Sequence, residues 1–79
     1  MAELQTTLHD IAAAIVDSPD EVTVTREEDD NTITLTLSVA SDDMGMVIGR
    51  HGRIAKAIRT VMKAAAADCG KRVNVDIRD

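Results

Sequence analysis

The sequence predicts an α+β fold, a two-layer α/β sandwich in which three helices cover one face of a three-stranded sheet. Three observations lead there. Apolar residues recur at helical spacing in some stretches, they alternate with threonine and other polar residues in others, and the stretches follow one another as α-β-β-α-α-β. With 79 residues and 8.5 kDa, the chain suits one domain spanning residues 1–79. An apolar fraction of 44% and a charged fraction of 29% fit a folded chain, and the absence of Phe, Tyr and Trp obliges its core to come from Ile, Val, Leu, Met and Ala.

Leu4, Leu8, Ile11 and Ile15, with Ala12 and Val16 beside them, form the stripe of an amphipathic helix that ends near Asp17. Ser18-Pro19-Asp20 supplies a turn, because proline biases the residue before it away from helix. Val22 and Val24 then alternate with Thr23 and Thr25, and Ile33, Leu35, Leu37 and Val39 alternate with Thr32, Thr34, Thr36 and Ser38, giving two strands with one buried face each. Between them residues 27–31 hold four adjacent carboxylates and an asparagine, which predicts an antiparallel hairpin with an acidic tip. Ser41 before Asp42 and Asp43 predicts a helix N-cap with acids in the first turn. The short helix that follows carries Met44, Val47 and Ile48 inward and stops at Gly49.

After Gly49-Arg50-His51-Gly52 a longer helix runs from Arg53 to about Asp68, terminated by Gly70. On it Ile54, Ile58, Val61 and Ala65 fall on the core side, with Arg53, Lys56, Arg59 and Lys63 roughly opposite. Val73, Val75 and Ile77, alternating with Asn74, Asp76 and Arg78, give the third strand. Met44, Met46 and Met62 are expected as gap-fillers in a core without aromatics, although an exposed one could help a partner interface.

Several function classes fall away. A single cysteine, Cys69, and two histidines allow neither an internal disulfide nor a metal cluster, so no cofactor is expected. His9 beside Asp10 reads as a surface pair. The acidic run lacks the spaced oxygens and glycine of a calcium loop. No apolar run approaches the ~20 residues of a membrane helix, and the start of the chain has no basic segment of the secretory kind, so a cytoplasmic protein without membrane contact is expected. Glycines 45, 49 and 52 match neither the dinucleotide fingerprint nor a phosphate-binding P-loop. His51 has no nucleophile near it in the predicted fold, so the chain is not expected to be an enzyme.

Charge is the informative property. The net value is −5, but residues 1–48 hold one base and eleven acids, whereas residues 49–79 hold eight bases and three acids, so −10 stands against +5. Such asymmetry is the footprint of a polyanion-binding surface on an acidic body. The basic helix begins directly after Gly-x-x-Gly. Glycine at both ends removes the Cβ atoms that would keep a phosphodiester from the main chain, and the unsatisfied N–H groups of a helix start favour an anion. Arg50 and His51 add donors between the glycines.

Ile48-Gly49-Arg50-His51-Gly52-Arg53-Ile54 resembles the KH signature, in which a GXXG loop joins two helices and clamps about four nucleotides of a single strand. The element order resembles the type II, bacterial arrangement. Asp42-Asp43-Met44-Gly45, residues 53–59 and Gly70-Lys71-Arg72-Val73 extend the likeness to the small bacterial KH RNA-binding proteins of the KhpA type, over essentially the whole chain. The resemblance implies a non-catalytic RNA chaperone or post-transcriptional regulator that binds single-stranded RNA, forms homodimers, pairs with a larger KH-containing protein and affects cell shape. The residues expected to hold RNA are Ile48, Gly49, Arg50, His51, Gly52, Arg53, Ile54 and Lys56. An RRM is excluded because it stacks bases on sheet aromatics; here Val47, Ile48 and Ile54 are the candidates for an aliphatic groove floor. The alternative is an interaction module that acts mainly through homodimerisation or through a larger partner, as the thin core, net acidity and short length would suit.

Overall fold

The computed structural model describes residues 3–79. Leu4–Ile15 forms α1, on which the buried Leu4, Leu8 and Ala12 stand four residues apart, with Ile11 and Ile15 partly buried beside them. Extended backbone at Val16 ends the helix, and Pro19 opens a 3-10 turn, Pro19–Glu21. β1 (Thr23–Glu28) pairs antiparallel with β2 (Thr32–Ser38), Val24 facing Leu37. β3 (Arg72–Arg78) lies parallel to β2, Val75 facing Leu35. A parallel neighbour needs a long crossover. α2 (Met44–Ile48) and α3 (Arg53–Ala65) supply it.

The strand order β1-β2-β3 makes β2 central, and its inward residues Ile33, Leu35 and Leu37 are 2%, 0% and 0% exposed, while the threonines between them look outward. α1 packs on β1 and β2, α3 on β3, and α2 rests against both longer helices. The α+β order α-β-β-α-α-β expected from periodicity is therefore the order found. No helix among the described residues is long and apolar enough to cross a membrane.

The hairpin differs from expectation in where its strand stops. Glu27 and Glu28 belong to β1, paired with Thr34 and Ile33, and the turn is confined to residues 29–31. Alternation separates the two glutamates onto opposite faces, so counting adjacent charges overstates their repulsion. Glu28 is moreover compensated twice: Arg26 Nη2 donates to it at 2.6 Å, and Lys71 Nζ donates to it and, at 2.9 Å, to the Asp29 carbonyl. The Asp29 carboxylate in turn accepts the amides of Asn31 at 2.8 Å and Thr32 at 2.7 Å, closing the turn.

Lys71 first, then Arg26, holds the Glu28 carboxyl below the usual carboxylate range, and the two turn amides do the same for Asp29. A carboxyl that titrates lower when folded stabilises the fold above its unfolded pKa, and this contribution is lost as pH falls through the folded value. Thermal midpoints followed by circular dichroism should thus hold steady from pH 7 to about 5 and drop below about pH 4, with a shallower acid limb in Glu28→Gln. An acid limb identical in the two proteins would show that Glu28 contributes nothing to it.

Further expectations are corrected at the helices. Ser41 makes no capping bond; residues Ser41–Asp43 form a 3-10 turn, and α2 begins only at Met44. Of the two acids expected to serve the helix dipole, Asp42 and Asp43, the second is instead buried at 2% exposure and accepts the Ser18 amide at 3.0 Å, pinning the α1–β1 connection to the start of α2. On α3 the buried residues are Ala55, Ile58 and Met62, continued by Ala66, so of the expected set only Ile58 faces the core; Ile54 and Val61 are 38% and 49% exposed. Alanines at 55 and 66 let the helix approach closely, which a face of large aliphatics would prevent. The helix also ends at Ala65, before the expected Asp68, and of the three methionines expected in the core Met62 is buried and Met44 packs against it, whereas Met46 is 38% exposed.

Candidate nucleic-acid interface

α2 closes with the Gly49 amide donating to the Gly45 carbonyl at 2.9 Å, and the chain then reverses through the 3-10 turn Arg50–Gly52. The Gly52 amide donates to Gly49 O at 3.2 Å and the Arg53 amide to Arg50 O. The amides of Arg50 and His51 take no part in this pattern. Three residues of this turn hold positive φ: Gly49 (75°), His51 (58°) and Gly52 (75°). For histidine that conformation costs about 1–2 kcal/mol, so the surrounding turn has to impose it.

The two glycines are needed for different reasons. A Cβ at Gly49 would stand 2.9 Å from the Cβ of Ile54 and 3.0 Å from its amide nitrogen, so this glycine lets Ile54 close over the turn from inside. A Cβ at Gly52 would meet nothing within 4 Å. Only the Gly52 side, then, offers the bare main chain that the sequence suggested for both.

Arg50, His51, Arg53 and Lys56 are all exposed, Ile48, Gly49 and Gly52 partly so. None of the three basic residues Arg50, Arg53 and Lys56 is in an ion pair among the described residues. They stand over the N-terminus of a helix of 13 residues, whose dipole adds to their field. Of the aliphatic floor expected beneath a base, Ile48 and Ile54 reach the surface, but Val47 is 0% exposed and belongs to the core.

At 100° per residue, Lys56, Arg59 and Lys63 share one flank of α3 and the exposed Ile54 and Val61 the other. The cationic flank lies against β3, where Arg59 Nε donates to the Val75 carbonyl at 3.1 Å. Sequence reading grouped Arg59 with the free cations; its attachment depends on the register of β3, which no local pattern reports. An accessible turn, two unused amides and a row of cations fit a polyanion that approaches along its backbone.

A three-stranded mixed sheet of order α-β-β-α-α-β, with Gly-x-x-Gly between its second and third helices, defines the type II KH class. The model of the family described as KhpA/KhpB, KH domain, matches residues 5–77. Among curated proteins, the chain is 57% identical over 70 residues to the RNA-binding protein KhpA of Clostridium acetobutylicum, covering 89% of this chain and 93% of that one. It is 47% identical over 76 residues to the RNA-binding protein KhpA of Halalkalibacterium halodurans, covering 96% and 100%, and 54% identical over 67 residues to that of Caldanaerobacter subterraneus, covering 85% and 89%. The chain belongs to the KhpA/KhpB KH-domain family.

Proposed function

We propose that this chain is a non-catalytic, cytoplasmic single-stranded RNA-binding protein acting as one KH domain. Main-chain amides at residues 50 and 51 and the open side of Gly52 receive the sugar-phosphate backbone. Arg50, His51, Arg53 and Lys56 supply charge and donors, and Ile48 and Ile54 lie beneath the bases. The observation that carries this reading is the exposed bend over residues 50–52, open at Gly52, with unused amides at the start of a cationic helix; the relatives' printed name, RNA-binding protein, supports it. Contacts to phosphate fix a strand without reading its sequence, so preference among sequences should be modest, which is compatible with the role of RNA chaperone or post-transcriptional regulator that the resemblance implies. The test is RNA affinity of a folded variant with both Arg50 and His51 replaced by aspartate.

A second reading has its own observation. The flank of α3 bearing Ile54 and Val61, both exposed, is an apolar surface suited to a second copy or to a larger KH-containing partner. Sedimentation at micromolar concentration should show a dimer that Val61→Asp converts to monomer. A wild-type protein that is strictly monomeric, and captures no partner, removes this reading.

A further inference from the structure

α2 has five residues, far fewer than a helix needs to persist by itself, so its place in the molecule is set by what grips it. Its C-terminal end is gripped from α3, where Ile54 packs onto Gly49. Val47, fully buried, holds its middle, and its start is held by Asp43, the one charged residue in the core among those described. An acid just before a helix usually caps it, turning the carboxylate back onto the first amides. Asp43 makes no such bond. Its Oδ2 reaches instead to the Ser18 amide, 25 positions back.

Ser18 is a firm anchor. Its carbonyl accepts the Glu21 amide at 3.0 Å, Pro19 fixes the next φ, and the Pro19 carbonyl accepts the Val22 amide at 3.1 Å just ahead of β1. The Ser18 amide lies beyond the last helical bond of α1, from the Val16 amide to the Ala12 carbonyl, and finds no backbone partner. Withdrawing the carboxylate would leave this part-buried N–H with nothing to donate to, so the connection and α2 would have to shift apart or admit water. Asp43 cannot itself meet a ligand of the turn: it is buried, and it stands six residues before Gly49, about 9 Å along a helix at 1.5 Å per residue. What it can do is aim. The turn leaves α2 through the bond from the Gly49 amide to the Gly45 carbonyl and closes with the Gly52 amide on the Gly49 carbonyl, so the amides of residues 50 and 51 face wherever α2 directs them.

We propose that Asp43 is a positioning residue for the turn: by holding the Ser18 amide it fixes α2 against the α1–β1 connection, and through α2 it sets the direction in which the turn presents its unused amides. The consequence for affinity rests on RNA being the ligand of the turn, and the test keeps the two apart. Asp43→Ala removes the acceptor, whereas Asp43→Asn keeps a carbonyl oxygen that accepts the same amide. Ile33→Val, a buried truncation on β2, supplies a control destabilised in the sheet rather than at α2. Amide NMR spectra are recorded for each variant without RNA, and affinity for a labelled oligouridylate is measured where circular dichroism shows the variant folded.

In Asp43→Ala the signals of residues 49–52 should move or broaden and affinity should fall about tenfold, while Asp43→Asn restores both and Ile33→Val leaves both as in the parent. Turn signals unmoved in folded Asp43→Ala overturn the proposal. So does an Asp43→Asn variant no better than the alanine one, or an Ile33→Val control that matches it, because a general loss of stability would then account for the effect. Parental affinity in Asp43→Ala, beside a loss in Arg50→Asp/His51→Asp, overturns it as well. The ligand reading fails by a different result: full binding by Arg50→Asp/His51→Asp takes RNA away from the turn, and displaced turn signals in Asp43→Ala, restored by asparagine, still assign the positioning to Asp43. Should Asp43→Ala not fold, Asp43→Ser, whose hydroxyl stops short of the amide, carries the same comparison.

Discussion

Arg50→Asp/His51→Asp is expected to lower affinity for single-stranded RNA by about 100-fold or more while the fold survives. Both side chains are exposed and neither holds another element in place, so the cost in stability should stay within about 0.5 kcal/mol. His51 sits at φ 58°, a conformation that aspartate tolerates as well as histidine does, and the backbone of the turn is therefore retained. The charge change is large where it matters. Arg50 and the His51 imidazole both become anions, beside the amides of residues 50 and 51 that would receive phosphate.

A strand approaching that turn would meet repulsion where it now meets donors, and like charges set against each other at an interface cost several kcal/mol. Fluorescence anisotropy with a labelled oligonucleotide reads the loss. Circular dichroism and a thermal melt confirm that the variant is folded. A folded variant with unaltered affinity would place the RNA elsewhere on the molecule.

How far the sequence disclosed this molecule depends on how local each determinant is. β2 was legible because one strand buried on one face writes a strict alternation, Ile33-Thr34-Leu35-Thr36-Leu37, and the same logic exposed β3. The turn was legible because its glycines and the following cations are contiguous. α3 was read with the wrong face inward. Ile54 and Val61 outrank Ala55 and Ala66 in hydrophobicity, but the close packing of helix on sheet selects small residues, and Ile54 is drawn onto Gly49 instead.

Asp43 was misread for a related reason. Acids near a helix start are usually solvated, and nothing within ten residues of it announces the Ser18 amide that it receives from 25 positions away. Lys71 and Glu28, separated by 43 positions, were likewise invisible as a pair, and their union is what allows the glutamate to remain in the strand.

The largest loss of stability should follow Leu35→Ala. Leu35 is 0% exposed at the middle of the central strand, with Arg26 beside it on β1 and Val75 on β3. Removing a buried leucine to Cβ costs about 2–5 kcal/mol, from lost transfer energy and from the cavity left behind. At roughly 0.05–0.15 kcal/mol per residue, a chain of 79 residues has only about 4–12 kcal/mol in all. With no aromatic side chain able to swing into the space, little relaxation is available, and the variant should lie near or beyond the middle of its unfolding transition in mild urea.

Met46→Ala, on a side chain 38% exposed, gives the control and should cost less than about 1 kcal/mol. Urea melts with equal slopes for the three proteins measure the difference directly. A Leu35→Ala midpoint within about 1 kcal/mol of the parent would mean that β2 is not the centre of the core. RNA binding separates the two kinds of damage: affinity in Leu35→Ala should fall only in proportion to the unfolded fraction and recover on cooling toward the stability maximum, whereas charge reversal at the turn removes binding from a chain that is still fully folded.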